Sequence, residues 1–221
     1  MAINNVIVRT ATNIQDYVST WHAMQVFTLN RNTQTCDELW LVEHPAVFTQ
    51  GLNGKPEHVL NPGDIPIIPI DRGGQITYHG PGQAVFYTLF DMNRLDIGVS
   101  KLVFLLEQSI IDYLQEDHNV SAERKAGAPG VYIEGDKIAS LGLRIKKNCS
   151  YHGLSFNVNM DLEPFSRINP CGLVDIKMTQ LRNFLPTCNV SNVQQALLLY
   201  IFRNLNYQQP TFEPFTNENE R

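Results

Sequence analysis

Apolar positions recur along the chain in two rhythms, one of two residues and one of three to four, and their succession predicts strands and helices. Ile3 to Arg9 alternates weakly and reads as a strand, while Ile14 to Leu29 has helical spacing behind a candidate cap at Thr12 or Asn13. Glu38 to Glu43 and Val47-Phe48 bracket His44-Pro45, where the proline predicts a bend in place of a continuous central strand. Residues 51–71 are rich in Gly, Pro and Asn and contain Ile65-Pro66-Ile67-Ile68-Pro69-Ile70, a loop leading into an edge strand. Ala84 to Phe90 is dense in β-formers, and Ser100 is expected to cap an amphipathic helix running to about Asp117.

The clearest local signal is a hairpin of Val131 to Glu134, a Gly135-Asp136 turn and Lys137 to Ile145. Counting by twos along its second strand places Lys137 on one face with Ala139, Leu141, Leu143 and Ile145, and Arg144 and Lys146 on the other. Tyr151 to Val158 predicts another strand and Val193 to Asn204 another helix. The polar, proline-spaced residues 207–221 read as a loosely held tail. Residues 1–221 are expected to form one domain, with no internal repeat or linker.

Composition narrows the class. At 221 residues, 43% apolar and 18% charged, the chain can bury an ample core without disulfides or metals. A net charge of −5 argues against broad binding to nucleic acid, and the cluster Arg144, Lys146 and Lys147 reads as a solvated strand edge. The amino-terminal residues lack a basic region followed by an apolar one and no window is long and apolar enough to span a bilayer, so neither export nor membrane insertion is expected. Cys36, Cys149, Cys171 and Cys188 contain no C-x-x-C pair, so no metal site is expected, and four free thiols suit the cytoplasm.

Three segments carry candidate chemistry. Arg72-Gly73-Gly74-Gln75-Ile76-Thr77-Tyr78-His79-Gly80-Pro81-Gly82-Gln83 is a glycine-rich loop able to present backbone N–H groups to a carbonyl or an anion, and it matches neither a Walker loop nor a dinucleotide fingerprint. Asn169-Pro170-Cys171-Gly172 frames a cysteine between proline and glycine, which can present a thiol at a pocket rim. In Gly135-Asp136-Lys137-Ile138-Ala139-Ser140-Leu141-Gly142, a lysine on an apolar face is partly desolvated, which suits it to proton exchange near neutrality. Each has a plainer reading alone: a turn, an inert buried thiol, a snorkelling amine. Together a thiol, an amine and an N–H-exposing loop suggest acyl transfer. Tyr-His-Gly occurs at both Tyr78-His79-Gly80 and Tyr151-His152-Gly153, so His79 and His152 could line one pocket or serve only as hydrogen-bonded turn residues.

In order and spacing, Arg72 to Gln83, Lys137 to Gly142, His152 to Leu154 and Pro170 to Gly172 resemble the lipoyl(octanoyl) transferase family, and the likeness runs nearly the full length. Ser155, Asp175 and Lys177 depart from that family's usual residues. The resemblance implies a biotin/lipoate protein ligase-like α/β (α+β) fold, with a mixed, largely antiparallel sheet flanked by helices. It implies Cys171 as acyl-carrying nucleophile and Lys137 as its acid–base partner. It further implies a substrate pocket lined by Arg72, Gly73, Gly74, Gln75, Ile76, Thr77, Tyr78 and His79, by Ser140, Leu141 and Gly142, and by Gly153, Leu154 and Ser155, with His152 in support. The implied donor is octanoyl-acyl carrier protein, bearing its acyl group on phosphopantetheine. The implied acceptors are the lipoyl domains of 2-oxoacid dehydrogenase E2 subunits and the glycine cleavage H protein, with no ATP, metal or other cofactor. An ATP-dependent lipoate or biotin ligase on the same scaffold is the rival enzyme, and a noncatalytic binder of acylated carrier proteins is the rival outside enzymes.

Overall fold

The computed structural model describes residues 5–170 and 176–216; Cys171, the nucleophile that the resemblance implies, lies outside the described residues. In chain order the elements are β1 (Asn5–Thr10), α1 (Tyr17–Asn30), β2 (Asp37–Val42), β3 (Val47–Gln50), β4 (Ile67–Pro69), β5 (Ile76–His79) and β6 (Gln83–Leu89). They continue with α2 (Met92–Leu95), α3 (Val99–His118), β7 (Glu123–Lys125), β8 (Ala128–Ile133), β9 (Asp136–Lys146), β10 (Cys149–Asn157), α4 (Val190–Leu205) and β11 (Gln209–Pro214).

Among the described residues, eight strands form one sheet in the order β11-β1-β2-β6-β10-β9-β8-β7, and β4-β3-β5 form a second. Only β11/β1, β1/β2 and β3/β4 pair in parallel, so the architecture is mixed and largely antiparallel, as expected. Every residue of β2, β6 and β10 is buried, because α3 and α4 cover one face of the large sheet and α1 the other. Alternation does the sorting: Leu39 and Leu41 of β2 pack toward α3 and α4, while Trp40 and Val42 join Met24 of α1.

Several local expectations are corrected. Helix α1 is capped by Asp16, whose carboxylate accepts from Ser19 N at 2.8 Å, and not by Thr12 or Asn13. Helix α3 starts behind Gly98, with Ser100 already inside it. The β8–β9 turn centres on Glu134 and Gly135, both at positive φ (50° and 90°), one residue before the Gly135-Asp136 pair; these are the dihedrals of a primed two-residue hairpin turn. Pro45 does more than bend a strand: the chain on either side of it enters two different sheets. The tail is not loose where it is described. Tyr207 is buried with its hydroxyl on Asp37 Oδ2 at 2.8 Å, and Gln209–Pro214 pairs residue by residue with β1.

The face assigned to Lys137 is also corrected. Tyr132 pairs with Lys137 but Val131 pairs with Ala139, leaving Ile138 as an extra residue in a β-bulge. Ile138 and Ala139 both pack into the core beneath α3 and α4, so the strict count of two fails there. Lys137 thereby leaves the face of Ala139, Leu141, Leu143 and Ile145 and joins that of Ser140 and Gly142.

Candidate active site

On the face of the sheet opposite α3 and α4, β6, β10 and β9 place two rows side by side: Tyr87–Gly153–Gly142 and Val85–Ser155–Ser140. These rows form the floor of an open cleft. Glycine and serine leave the sheet surface bare there, which gives a chain-like ligand room to lie along it. Leu141 and Leu154 also border the cleft, although their side chains belong to the helix-side core.

The wall is the glycine-rich loop, pinned from both sides. Gly73 N donates to Leu143 O of β9 at 2.9 Å, while Leu52 N and Asn53 N donate to Arg72 O and Gly74 O at 3.0 and 3.1 Å. Gly74 holds φ +86°, a conformation that favours glycine. Arg72 is buried and holds carbonyls: Nη2 reaches Thr49 O at 2.6 Å and Nη1 reaches Gly73 O at 2.9 Å. It therefore shapes the loop.

Of the residues expected to line the pocket, Arg72, Gly74, Gln75, Ile76, Thr77, His79, Ser140, Leu141, Gly142, Gly153, Leu154 and Ser155 border this cleft, as does His152. Gly73 and Tyr78 do not. Gly73 is taken up by its bond to β9, and Tyr78 points into the small sheet's own core, against Phe48 and Phe165.

Beneath the cleft lies a buried polar cluster of which sequence reading singled out only His79. His44 Nδ1 donates to Gln15 O at 2.7 Å, which fixes Nε2 as the acceptor for the Tyr87 hydroxyl at 2.6 Å. Tyr17 stacks on His79, ring centroids 5.6 Å apart. Burial holds these rings neutral: His44 falls to about 4, His79 to about 3, and Tyr17 rises to about 12. His79 donates from Nδ1 to Gln83 Oε1 at 2.7 Å.

His152, at φ +58° in β10, donates from Nε2 to Asp71 Oδ1 at 3.0 Å. Asp71 also accepts from Trp21 Nε1 at 2.8 Å, Gln25 Nε2 at 3.2 Å and the Tyr151 hydroxyl. Burial alone would raise this carboxyl, but bonds from His152, Tyr151, Trp21 and Gln25 outweigh it and hold Asp71 well below the ordinary range. His152 is itself lowered, mainly by burial, so its neutral ring leaves Nδ1 buried without a hydrogen-bond partner.

Lys137 is buried on the cleft side of β9, three residues or roughly 10 Å along the strand from Ser140. Its Nζ donates to Pro129 O at 2.8 Å. Its backbone is tied to the residues that follow 171–175: Lys137 N donates to Lys177 O at 2.8 Å, and Thr179 N donates to Lys137 O at 2.9 Å. On the other side of that segment, Ile168 bridges to Val59 and Asn169 N donates to His58 O at 2.8 Å. Among the other cysteines Cys36 is exposed, and burial pushes the Cys149 and Cys188 thiols up, away from thiolate. Among the described residues no group of three or more His, Cys, Asp or Glu could hold a metal, and no helix is long and apolar enough to cross a membrane.

Helices thus cover both faces of a mixed sheet, and a glycine-walled cleft lies over its centre, which defines an α/β protein with a preformed ligand site. Residues 16–202 match the lipoyl protein ligase A/B catalytic domain. The chain is 56% identical over 195 residues to an octanoyltransferase of Shewanella sp. (strain ANA-3), covering 88% of this chain and 89% of that one. An octanoyltransferase of Chromobacterium violaceum is 55% identical over 196 residues, 89% and 94% of the two chains. Among solved structures, the bi-partite lipoate protein ligase of Thermoplasma acidophilum superposes with a TM-score of 0.75 at 13% identity, over 100% of this chain and 90% of that one. The biotin protein ligase of Aquifex aeolicus gives 0.53 at 14%, over 93% and 70%. The chain belongs to the lipoyl protein ligase A/B family, on the biotin/lipoate ligase fold, and within it to the octanoyltransferases, which are acyltransferases.

Proposed function

We propose that the chain transfers an octanoyl group from octanoyl-acyl carrier protein to the lysine ε-amine of lipoyl domains, those of 2-oxoacid dehydrogenase E2 subunits and of the glycine cleavage H protein, through a thioester on Cys171. The Cys171 thiolate attacks the donor thioester, N–H groups of the glycine-rich loop stabilise the oxyanion, and Lys137 protonates the departing phosphopantetheine sulfur. Neutral Lys137 then takes the proton that the acceptor amine loses as it attacks the enzyme thioester; an amide forms and the Cys171 thiolate is released. Thioester exchange is nearly isoenergetic and amide formation is downhill, so neither ATP nor a metal takes part.

The observation that carries this reading is the placement of Lys137 on the cleft face, with its backbone bonded to Lys177 and Thr179, a few residues after Cys171 in sequence. The floor supports it further, since the octanoyl tail would lie over the Gly and Ser rows between Ile76 and Val85 and gain about 0.8 kcal/mol per buried methylene. Asp71, by fixing the His152 ring, would orient that histidine at the cleft wall.

The test is intact-protein mass spectrometry after mixing with octanoyl-acyl carrier protein. One octanoyl group should appear on Cys171 without ATP, be absent from Cys171→Ala, and leave on addition of a lipoyl domain. Acylation of the lipoyl domain by Cys171→Ala, supplied with free octanoate and ATP, would establish the ligase reaction instead.

A further inference from the structure

The peptide group joining Pro129 to Gly130 is gripped at both ends. Its carbonyl accepts from Lys137 Nζ at 2.8 Å, and its amide N–H donates to Glu107 Oε1 at 2.8 Å. This peptide is trans, so the carbonyl and the N–H point in opposite directions and the two side chains approach β8 from opposite sides. Glu107 comes from the buried face of α3 and Lys137 from the cleft-side face of β9.

The other oxygen of Glu107 accepts from Arg124 Nε at 3.0 Å, and Arg124 is held by Gln108 Oε1 at 2.7 Å and lies 4.0 Å above the Phe104 ring. Lys125, the other cation close by, sits 4.6 Å over the Tyr132 ring that Lys137 Nζ approaches at 5.6 Å, and donates to Gly135 O. Gly130 has φ +142°, and a Cβ there would lie 2.4 Å from Lys137 Cε and 2.6 Å from Ala139 O. The bare backbone is what lets the lysine stem lie flat against this peptide.

Hydrogen bonds in series polarise one another: a carboxylate drawing on the N–H makes the carbonyl oxygen of the same amide a stronger acceptor. We propose that Glu107 is a positioning residue for Lys137, acting through the Pro129–Gly130 peptide, so that a charge beneath the sheet holds the amine above it. This rests on the acid–base reading of Lys137 given above.

The test compares Glu107→Gln, Arg124→Ala and Lys137→Ala in steady-state transfer, together with thermal midpoints and the ¹⁵Nζ resonance assigned to Lys137 by its absence from Lys137→Ala. Glu107→Gln, nearly the same size, should lower kcat about tenfold with KM for both protein substrates within about twofold, and should move the Lys137 resonance. Arg124→Ala, which frees one oxygen of a partly exposed pair, should do the same to a smaller extent, about threefold, and carries the test if Glu107→Gln does not fold. A kcat within twofold of the parent in the folded variants, or an unmoved resonance, overturns the relay. Full activity of Lys137→Ala would overturn the acid–base reading itself, whereas an inactive Lys137→Ala beside an unimpaired Glu107→Gln would sink the relay alone.

Discussion

On the helix side of the large sheet, the three strands β6, β10 and β9 align Phe86–Leu154–Leu141 and Ala84–Phe156–Ala139; one residue further along the same strands, the opposite face aligns Tyr87–Gly153–Gly142 and Val85–Ser155–Ser140. The first face is filled largely by apolar side chains packed beneath α3 and α4, and the second is kept low and edged with histidines, tyrosines and an aspartate. One set of strands thus serves two purposes because its side chains alternate. Stability is concentrated on one face, and the space and polarity needed for chemistry on the other.

That division can be attacked directly. The largest effect is expected where the two faces share a constraint: a Cβ on Gly153 would lie 1.9 Å from Phe86 O, so Gly153→Ala should cost about 4 kcal/mol or more in urea unfolding. A variant of parental stability would mean that this glycine serves only the ligand. Next, Leu197→Ala on the helix side should cost about 3 kcal/mol while the transfer rate per folded molecule stays within about twofold; a selective loss of rate would join the two faces functionally.

The buried rings beneath the cleft give a smaller, pH-dependent effect. Burial lowers His44 to about 4 and His79 to about 3 against an ordinary 6.5, so below pH 6.5 the unfolded chain takes up protons that the folded chain refuses. Their contribution is complete above about pH 6.5 and should fall by about 2 kcal/mol per ring between pH 7 and pH 5. Urea midpoints across that range check it, and His44→Gln should remove half of the slope. The smallest effect concerns the floor. Ser155→Val should lower kcat/KM for octanoyl donors about tenfold and leave hexanoyl donors nearly unaffected, with stability changed by less than about 1 kcal/mol. Equal losses for both chain lengths would place the tail elsewhere.

What the sequence disclosed depends on how local each signal was. The β8–β9 hairpin, α3, α4 and the glycine-rich loop are written in adjacent residues, and each was found within a few positions of its observed limits. The bulge at Ile138 was not, because it arises from the pairing of β9 with β8, and it reversed the face assigned to Lys137. Asp71 carried no signal at all: the residues that make it a hub, Trp21, Tyr151 and His152, lie 50 to 81 positions away. His44 was noticed only for the proline after it. Strand β11 looked like a tail because its residues are polar and exposed; what orders it is the backbone ladder to β1, which leaves no mark in side-chain pattern.

That last strand has a bearing on how the protein behaves in company. An outermost strand ordinarily offers a row of amide hydrogens on which a neighbouring chain can begin to stack. Here the rim beside β1 is occupied by Gln209–Pro214, which carries Pro210 and Pro214, two residues with no amide hydrogen to lend. The border of the sheet is thereby made a poor template for self-association, and the protein is protected along it from adhering to copies of itself.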